Sequence, residues 1–314
     1  MLRFIVRRLL FMVLTLLAAS LVIFAVTQLL PGDVAKMIMG RFASPEGLAR
    51  LRHDLGLDRP LYVQYFDWLR GFVTGDWGNS LAMGVPIQPL VMERLRNSAM
   101  LAAVGLVMSV PLAIILGIIS ALRRDTWLDH VISVGSLAVV GLPEFVTGLV
   151  FIGVFALGLH WLPASSSIDP KSGFFEALPM LILPGLTITL VMLAYVARMT
   201  RSSTIEALRT DYTRTAYLKG LSRREVLVKH VLRNSLLPTV TIIAISIGWL
   251  IGGLIVTESV FSYPGLGRLL MYSIERRDLP LIQAVSMLVV AIFSLSNLAA
   301  DVIYAYLNPR IRLN

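Results

Sequence analysis

The amino-acid sequence predicts an all-α polytopic membrane protein with six transmembrane helices. Of its 314 residues, 56% are hydrophobic and 15% are charged, and the mean hydropathy is +0.78. An ordinary soluble domain has about 25% charged residues. Six apolar stretches are each long enough to cross a hydrocarbon core of about 30 Å as a helix of about 20 residues. They cover residues 9–30, 98–122, 131–161 with one interruption at Glu144, 177–197, 234–257 and 279–300.

The distribution of basic residues predicts that both chain termini are cytoplasmic. Six spans place the two termini on the same side, and short loops rich in Lys and Arg remain in the cytoplasm. One side collects nine basic residues between Arg198 and Arg233, together with Arg123, Arg124 and the arginines near both termini. The short loops on the opposite side carry only four basic residues.

The first apolar stretch and the basic charge also have simpler explanations. Three arginines ahead of an apolar run resemble a cleaved signal peptide, but the run over residues 9–30 exceeds a usual signal core of about 7–15 residues, so we interpret it as a retained first span. The net charge of +9 would suit nucleic-acid binding, yet more than half of the basic residues lie where membrane topology places them. The sequence contains no cysteine, which excludes disulfides and thiolate metal sites.

The segment between the first two spans predicts a small helical cap on the outer face. A PGD motif at residues 31–33 ends the first helix. Leu48, Leu51 and Leu55 recur at helical spacing, and the apolar residues over 61–72 form an amphipathic helix. We expect its apolar face to pack on the outer ends of the spans. Direct contact with a substrate is the alternative, and the two roles do not exclude each other.

Glu144 lies near the middle of the third apolar stretch, directly after Pro143. A carboxylate at the bilayer midplane costs about 3 kcal/mol on insertion scales, so we expect it to face a polar interior or to be protonated. Glu144 either lines a translocation path or, if Pro143 breaks the helix, caps the second half of the span. Pro111 predicts a kink in the second span. Glu258 and Asp301 fall near the ends of spans, where acidic residues are mostly interfacial and structural.

The loop over residues 198–238 is strongly charged and carries two helix signatures joined by a glycine. Asp211 is a good N-cap for a short helix over 212–219, and Gly220 stands where a left-handed C-cap is preferred. Ser222 and Glu225 form an S-x-x-E capping box that predicts a second helix ending at Leu237. A basic loop attracted to anionic lipid is the simpler alternative, but it does not explain the caps. We therefore predict a docking surface for another protein.

The turn after the fifth span carries aromatic, proline and glycine signals. The run ESVFSYPGLGR places Phe261 and Tyr263 at the outer membrane–water interface. Pro264, Gly265 and Gly267 predict a tight turn there. An asparagine–proline pair then ends the sixth helix as it enters the cytoplasm.

The run DYTRTAYLKGLSRREVLVKHVLRNSLLP in the loop resembles the cytoplasmic EAA loop of binding-protein-dependent ABC transporter permeases. The resemblance is to the branch for dipeptides, oligopeptides, glutathione and nickel. Further motifs follow in the order of that branch: RR before the first span, LLPGD, LGLDRPLYVQY with GDWGNS, RMTRSS, ESVFSYPGLGR and the closing NPRIR. The resemblance therefore covers nearly the whole chain.

The resemblance implies the type I ABC importer permease fold, with a small helical outer-face segment between the first and second spans. It divides the chain into four parts. These are a cytoplasmic N-terminus with the first transmembrane helix at 1–30, an outer-face segment at 31–93, a permease core at 94–305 that includes the coupling loop 198–238, and a cytoplasmic tail at 306–314.

The resemblance also implies partners and a mechanism. Two related permeases form the path, two cytoplasmic ATPases bind ATP and Mg²⁺, and an outer-face binding protein delivers the substrate. A short helix of each permease loop sits in a groove of one ATPase, so that ATPase closure moves the permease as a rigid body. This assigns ATPase coupling to Asp211, Tyr212, Arg214, Thr215, Ala216, Lys219, Gly220 and Leu221. The candidates for the translocation path are Pro143, Glu144 and Glu258.

The same resemblance sets expectations for ligands. The substrate is expected to be a dipeptide or oligopeptide, with nickel, glutathione or haem as alternatives. We expect this chain to hold no cofactor or metal of its own, because the ATPase partners bind the nucleotide.

The loop departs from the general family pattern, which is E-A-A, three residues, glycine, nine residues and I-x-L-P. Here the E-A-A positions hold Arg214, Thr215 and Ala216, so that only Ala216 and Gly220 match. The sequence instead fits the peptide-branch form D-Y-x-R-T-A-x-x-K-G. Because of this departure, the roles of single residues in other branches cannot be assigned to this chain position by position. The expected docking role of the loop is unchanged.

An autonomous transporter that couples ion flow through Glu144 is the alternative function. Inverted internal repeats would favour it, and the two halves of the sequence show no convincing self-similarity. The chain contains no G-x-x-x-x-G-K-[ST] motif, so an ATP-driven mechanism needs a separate ATPase. The four histidines are scattered, and Ser80 has no evident base in the sequence, so an enzyme has little support.

Overall fold

The structure is a computed structural model that describes residues 2–29, 39, 44–54, 56–167 and 174–307. These residues are mostly helical, and strand-type pairing among them is limited to one bridge between Asn79 and Pro86. The helix stops predicted at residues 31–33 and 308–309 lie outside the described part of the chain.

The helices are labelled in chain order. They are α1 (Leu2–Leu29), α2 (Pro45–Asp54), α3 (Leu61–Thr74), α4 (Ile87–Leu122), α5 (Trp127–Gly141), α6 (Glu144–Phe151), α7 (Phe174–Leu208), α8 (Asp211–Leu218), α9 (Arg223–Glu225), α10 (Arg233–Val260), α11 (Leu266–Glu275) and α12 (Leu279–Leu307). A π-helical segment, Ile152–Gly158, continues α6. A second one, Val226–Leu232, joins α9 to α10 without a break.

Within the described residues, five helices are long and apolar enough to cross a membrane. A sixth crossing results if Trp127–Gly141 and Glu144–Gly158, which meet at a bend of 108°, form one broken span. Pro143 causes the bend because it lacks an N–H and keeps Leu142 out of the helical region, at φ −93° and ψ 131°. Helix α4, in contrast, continues through Pro111.

The helices extend beyond the apolar stretches of the sequence. Helix α7 continues to Leu208, so that the RMTRSS motif at residues 198–203 is helical. Helix α4 begins at Ile87, well before its apolar stretch. The first part of the charged loop is therefore the last turns of α7, and only α8 and its two flanking turns separate α7 from the next helix.

The chain divides into two compact units, and the first is built mainly on Ala99–Pro264. Its central helix is α7, because 67% of the apolar window of α7 is buried, against at most 33% in the other long helices. Helices α5, α6 and α10 pack around α7. The core includes Leu101, Leu181, Val196 and Tyr263. Exposed apolar side chains on the outer helices suit contact with lipid or with other subunits.

The second unit is built on Val6–Ser98 and Gly265–Leu295. The amphipathic helix α3 packs on α1, since the Tyr65 hydroxyl lies 2.8 Å from Ser20 Oγ and the Tyr65 ring meets Phe24 edge-on at a centroid distance of 5.5 Å. The predicted burial of its apolar face holds in part, since Tyr65 is buried, Trp68, Leu69 and Phe72 are partly buried, and Leu61 is exposed. Ser80 Oγ donates a 2.5 Å hydrogen bond to the carboxylate of Asp278, which ties the GDWGNS motif to the start of α12.

The turn after α10 differs from the prediction. Phe261 and Tyr263, expected at the membrane–water interface, are fully buried in the first unit. The backbone turns inward, because the Tyr263 N–H donates to the Glu258 carbonyl at 2.8 Å and the Ser166 N–H donates to the Phe261 carbonyl at 2.8 Å. Burial and the nearby Glu258 carboxylate raise the pKa of Tyr263. Gly267, expected in the turn, lies inside α11.

Candidate functional site

A short helix, α8, lies in the loop between α7 and α10, as the sequence predicts. It begins one residue earlier than expected: Asp211 is the first helical residue, and Thr210 is the N-cap with extended backbone. The Thr210 side chain does not cap the helix, and its hydroxyl donates to the Ala207 carbonyl at 2.6 Å. The prediction that Asp211 is the N-cap is therefore wrong. A carboxylate in the first turn still favours the helix N-terminus electrostatically.

The end of α8 is a Schellman motif. The Leu221 N–H donates to the Ala216 carbonyl at 3.4 Å, and the Gly220 N–H donates to the Tyr217 carbonyl at 3.0 Å. Gly220 has a φ of +79°, in the left-handed region where a side chain is strained. Ala216 and Leu221 pack in one apolar cluster, which completes the motif. Thus the two residues that match the general family pattern, Ala216 and Gly220, form the end of this helix.

The predicted capping box opens α9. Ser222 Oγ accepts the Glu225 N–H at 3.3 Å, and the Glu225 carboxylate accepts the Ser222 N–H at 3.3 Å. The predicted end of this helix before Pro238 is wrong, because α9 runs through the π-helical segment into α10. Thr239 is fully buried with its hydroxyl 3.2 Å from that of Thr200 on α7. Packing on α7 therefore holds the helix together beyond the proline.

The two faces of α8 differ in exposure. Ala216 is buried in an apolar cluster with Ala207, Val226 and Val231, and the buried Thr213 hydroxyl donates to the Ala207 carbonyl at 2.8 Å. The remaining residues of 211–220 are exposed, namely Asp211, Tyr212, Arg214, Thr215, Tyr217, Leu218, Lys219 and Gly220. Of the predicted coupling residues, Ala216 thus lies inside, Leu221 is partly buried, and the others face outward.

Two exposed residues of α8 are missing from the predicted set. Leu218 is 80% exposed and Tyr217 is 43% exposed, next to Tyr212 at 41%. The sequence could have indicated that Leu218 is exposed. Thr213 and Ala216 are three residues apart and define the buried stripe of the helix, and Leu218 does not lie on that stripe. An exposed leucine beside two tyrosines on a polar helix is typical of a protein interface.

An ion pair that the sequence does not reveal fixes the end of α7. Arg201 donates two hydrogen bonds of 2.7 Å to the carboxylate of Asp129, which is buried at the start of α5. Ser120 Oγ of α4 donates to the same carboxylate, and so does the Asp125 N–H at 3.0 Å. Three helices therefore meet at one carboxylate, two turns or so before the loop that carries α8.

The third span breaks at Pro143, and Glu144 is the first residue of α6. No described residue donates a hydrogen bond to its carboxylate, but an acidic side chain in the first turn favours the helix N-terminus electrostatically. The carboxylate lies over Gly253 of α10: a β-carbon added there would be 2.7 Å from Glu144 Oε2. Tyr195 and Ser246 line a small cavity beside it. The structure thus brings together residues of α6, α7 and α10 around one carboxylate.

The third path candidate lies in a different environment. Glu258 is fully buried near the end of α10, and its negative charge, after burial, helps to raise the pKa of Tyr263. That position suits a structural side chain. Within the described residues, no group of three or more His, Asp or Glu side chains could hold a metal ion.

Two family models together match almost the entire chain. The model of the binding-protein-dependent transport system inner membrane component matches residues 113–313. The chain belongs to this family. A second model, for the N-terminal part of the same membrane component, matches residues 1–105 of the permease. The predicted membership is confirmed, and with it the all-α polytopic permease architecture in the inner membrane.

Full-length relatives place the permease in the dipeptide branch. The dipeptide transport system permease protein DppB of Alkalihalophilus pseudofirmus is 36% identical over 332 residues, which cover 99% of this chain and all of that protein. The glutathione transport system permease protein GsiC of Escherichia coli K12 is 38% identical over 312 residues, with 99% of each chain covered. The GsiC protein of Salmonella choleraesuis is 37% identical over the same length. This chain is therefore a permease subunit of an ABC importer.

Proposed function

We propose that this permease serves an ATP-driven importer of dipeptides and short oligopeptides. It forms the translocation path with a second, homologous permease, receives substrate from an outer-face binding protein, and contacts one of two cytoplasmic ATPases through α8. The ATPases bind ATP and Mg²⁺. Both termini and the loop over 198–238 are cytoplasmic, residues 31–93 lie at the outer face, and residues 94–305 form the permease core.

The observation that supports the coupling role is that α8 has an exposed face and is held firmly by the loop residues that follow it. Leu218, Tyr212 and Tyr217 are exposed on a helix whose other side is buried. Burying such side chains in a partner's groove removes apolar area from water, and exposed aromatic and aliphatic anchors supply most of the free energy at protein interfaces. The exposed set contains six of the eight coupling residues expected from the sequence, leaves out Ala216 and Leu221, and adds Tyr217 and Leu218.

The connection from α8 through α9 to α10 explains how ATPase closure would move the membrane spans. The Schellman motif at Gly220 and the capping box at Ser222 fix the angle between α8 and α9. Val226 and Val231 are fully buried against the same loop, and α9 continues into α10 without a break. A displacement of α8 is therefore transmitted to α10 rather than absorbed in a flexible linker.

The proposed substrate class rests on the relatives. One of them is named for dipeptide transport and the other for transport of glutathione, which is itself a tripeptide. Short peptides are the class that both names share. Nickel and haem remain alternatives from the wider branch, and the described residues contain no metal-holding group that would favour nickel.

A substitution on the exposed face of α8 tests the coupling role. We expect Leu218→Ser to reduce uptake of labelled trialanine by the complete transporter about tenfold, because one buried anchor at an interface contributes at least about 1.4 kcal/mol. Val228→Ser is the matched control, since Val228 is 55% exposed on the following helical segment. Equal uptake by the Leu218→Ser variant and the wild type would contradict the role of α8.

The alternative of an autonomous ion-coupled transporter has a separate test. Vesicles that contain the permease pair are compared with and without the ATPases and ATP. We expect uptake of trialanine only in the presence of both. Uptake by the permeases alone, driven by an ion gradient, would overturn the proposal.

A further inference from the structure

The carboxylate of Glu144 lies directly against the backbone of α10. A β-carbon built on Gly253 would be 2.7 Å from Oε2 and 2.8 Å from Oε1 of Glu144. Real β-carbons do not come that close to oxygen atoms. Glycine at position 253 therefore leaves the room that both carboxylate oxygens of Glu144 occupy.

Neighbouring Gly252 shows that the contact is specific to one glycine. A β-carbon added to Gly252 would meet no atom of the described residues within 4 Å, apart from those of its own turn of the helix. The two glycines share the same helix and the same helical backbone. The two positions therefore differ in their neighbours: the Glu144 carboxylate lies against Gly253 and not against Gly252.

The carboxylate has no partner in the part of the chain that the structure describes. No described residue donates a hydrogen bond to Glu144, and no cation approaches it. The surrounding helical segments, residues 131–141, 177–197 and 234–257, contain neither Lys nor Arg. An acidic side chain without a partner is costly at membrane depth, and a ligand that brings a positive charge recovers part of that cost.

A small cavity beside the carboxylate is open to such a ligand. Its volume is about 40 Å³, and Tyr195, Ser246 and Met192 are among its lining residues. A single water molecule needs about 10–15 Å³ of such space, so the cavity has room for one small polar group. A complete peptide does not fit, but an ammonium group at the end of a peptide does.

We propose that Glu144 binds the ammonium group of the transported peptide, with Gly253 as the positioning residue for its carboxylate. This inference rests on the proposed function and specifies its substrate: peptides with a free amino terminus. The ammonium group donates charge-assisted hydrogen bonds to Oε1 and Oε2, while the remainder of the peptide lies outside the small cavity. N-acetylated peptides lack the positive charge and are excluded from this contact.

Chemical protection of Glu144 tests the contact without any transport step. The complete purified transporter is treated with dicyclohexylcarbodiimide, an apolar reagent for carboxyl groups, and modification of Glu144 is followed by mass spectrometry. We expect saturating trialanine to slow the modification about tenfold, the effect of one charge-assisted contact, and N-acetyl-trialanine to leave it unchanged. Equal slowing by both peptides, or by neither, would overturn the inference.

The paired glycines provide the matched variants. In Gly253→Ala the new methyl group displaces the flexible end of Glu144 without disturbing the backbone, so the fold is retained. We expect the uptake ratio of free to N-acetylated trialanine to fall about tenfold in Gly253→Ala and in Glu144→Gln, and to stay at the wild-type value in Gly252→Ala. Because both changes remove one contact, the double variant of Glu144→Gln and Gly253→Ala should lose no more than either single one.

The outcomes separate this inference from the proposed function. An unchanged uptake ratio in Glu144→Gln, with ATP-dependent uptake of trialanine intact, overturns the ammonium contact and leaves the importer role standing. Uptake of trialanine that does not depend on the ATPases overturns the importer role, whatever the protection of Glu144 shows.

Discussion

The loop around α8 and the broken third span differ in how completely their polar groups are satisfied. In the loop, both ends of the turn between α8 and α9 are closed by hydrogen bonds, through the backbone at Gly220 and through the capping box at Ser222. At the break, Glu144 follows Pro143 and no described residue donates to its carboxylate. Under the proposals made above, the chain is rigid where the ATPase would push on it and leaves a charge unmatched where the peptide would bind.

The energies of the two regions differ in sign. Each cap in the loop contributes about 1 kcal/mol to the stability of its helix. The lone carboxylate costs about 3 kcal/mol at the bilayer centre on insertion scales. Folding stability therefore favours the caps of the loop and opposes the carboxylate of Glu144, so the presence of an acidic residue at the break needs a reason outside folding.

Removal of the buried ion pair below the loop should have the largest effect on stability. In Arg201→Met, the carboxylate of Asp129 remains buried and loses both of its 2.7 Å hydrogen bonds from the guanidinium. We expect a loss of about 3 kcal/mol, because one buried charge is left without its partner. Thermal unfolding of the detergent-solubilised complex measures it. Arg198→Met is the control, since Arg198 is exposed on the same helix. Equal shifts in the two variants would show that the Arg201–Asp129 pair does not stabilise the fold.

A side chain at Gly220 should strain the end of α8. At a φ of +79°, a β-branched residue costs about 1–3 kcal/mol, so we expect Gly220→Val to release α8 from its fixed angle. ATP hydrolysis by the complex should continue while peptide uptake falls. Gly220→Asn is the matched control because asparagine tolerates this region. Normal stimulation of ATP hydrolysis and normal uptake in Gly220→Val would refute the transmission of force through this turn.

Loss of the capping box should have a smaller effect in the same direction. Ser222→Ala removes the hydroxyl that accepts the Glu225 N–H, and an N-cap serine is worth about 1 kcal/mol. Peptide uptake and thermal unfolding should both decline slightly. Ser202→Ala is the control, as Ser202 is an exposed serine on α7. If both variants behave like the wild type, the cap does not fix the angle between α8 and α9.

The sequence predicted the fold and the loop because both follow from local patterns. Apolar runs revealed the spans, and the glycine and S-x-x-E signals revealed the two ends of the turn at Gly220 and Ser222. The one-residue error at Asp211 is of the usual size for helix boundaries. The wrong placement of Phe261 and Tyr263 has a physical cause, since hydropathy does not distinguish a membrane interface from a protein interior.

The remaining site features depend on pairings between distant parts of the chain. Asp129 and Arg201 are 72 residues apart in sequence, and nothing local to either residue indicates its partner. Glu144 and Gly253 meet only because the third span breaks and α6 packs on α10. The break itself was predictable from Pro143, whereas the helix that receives the carboxylate was not.

Site-specific cross-linking tests directly whether the exposed face of α8 contacts an ATPase. The chain contains no native cysteine, so Leu218→Cys introduces a unique thiol. With a short bifunctional reagent, we expect Leu218→Cys to cross-link to an ATPase subunit of the complete transporter, and Val228→Cys, on the following segment, to give no such product. Cross-linking from position 228 and none from position 218 would contradict the claim.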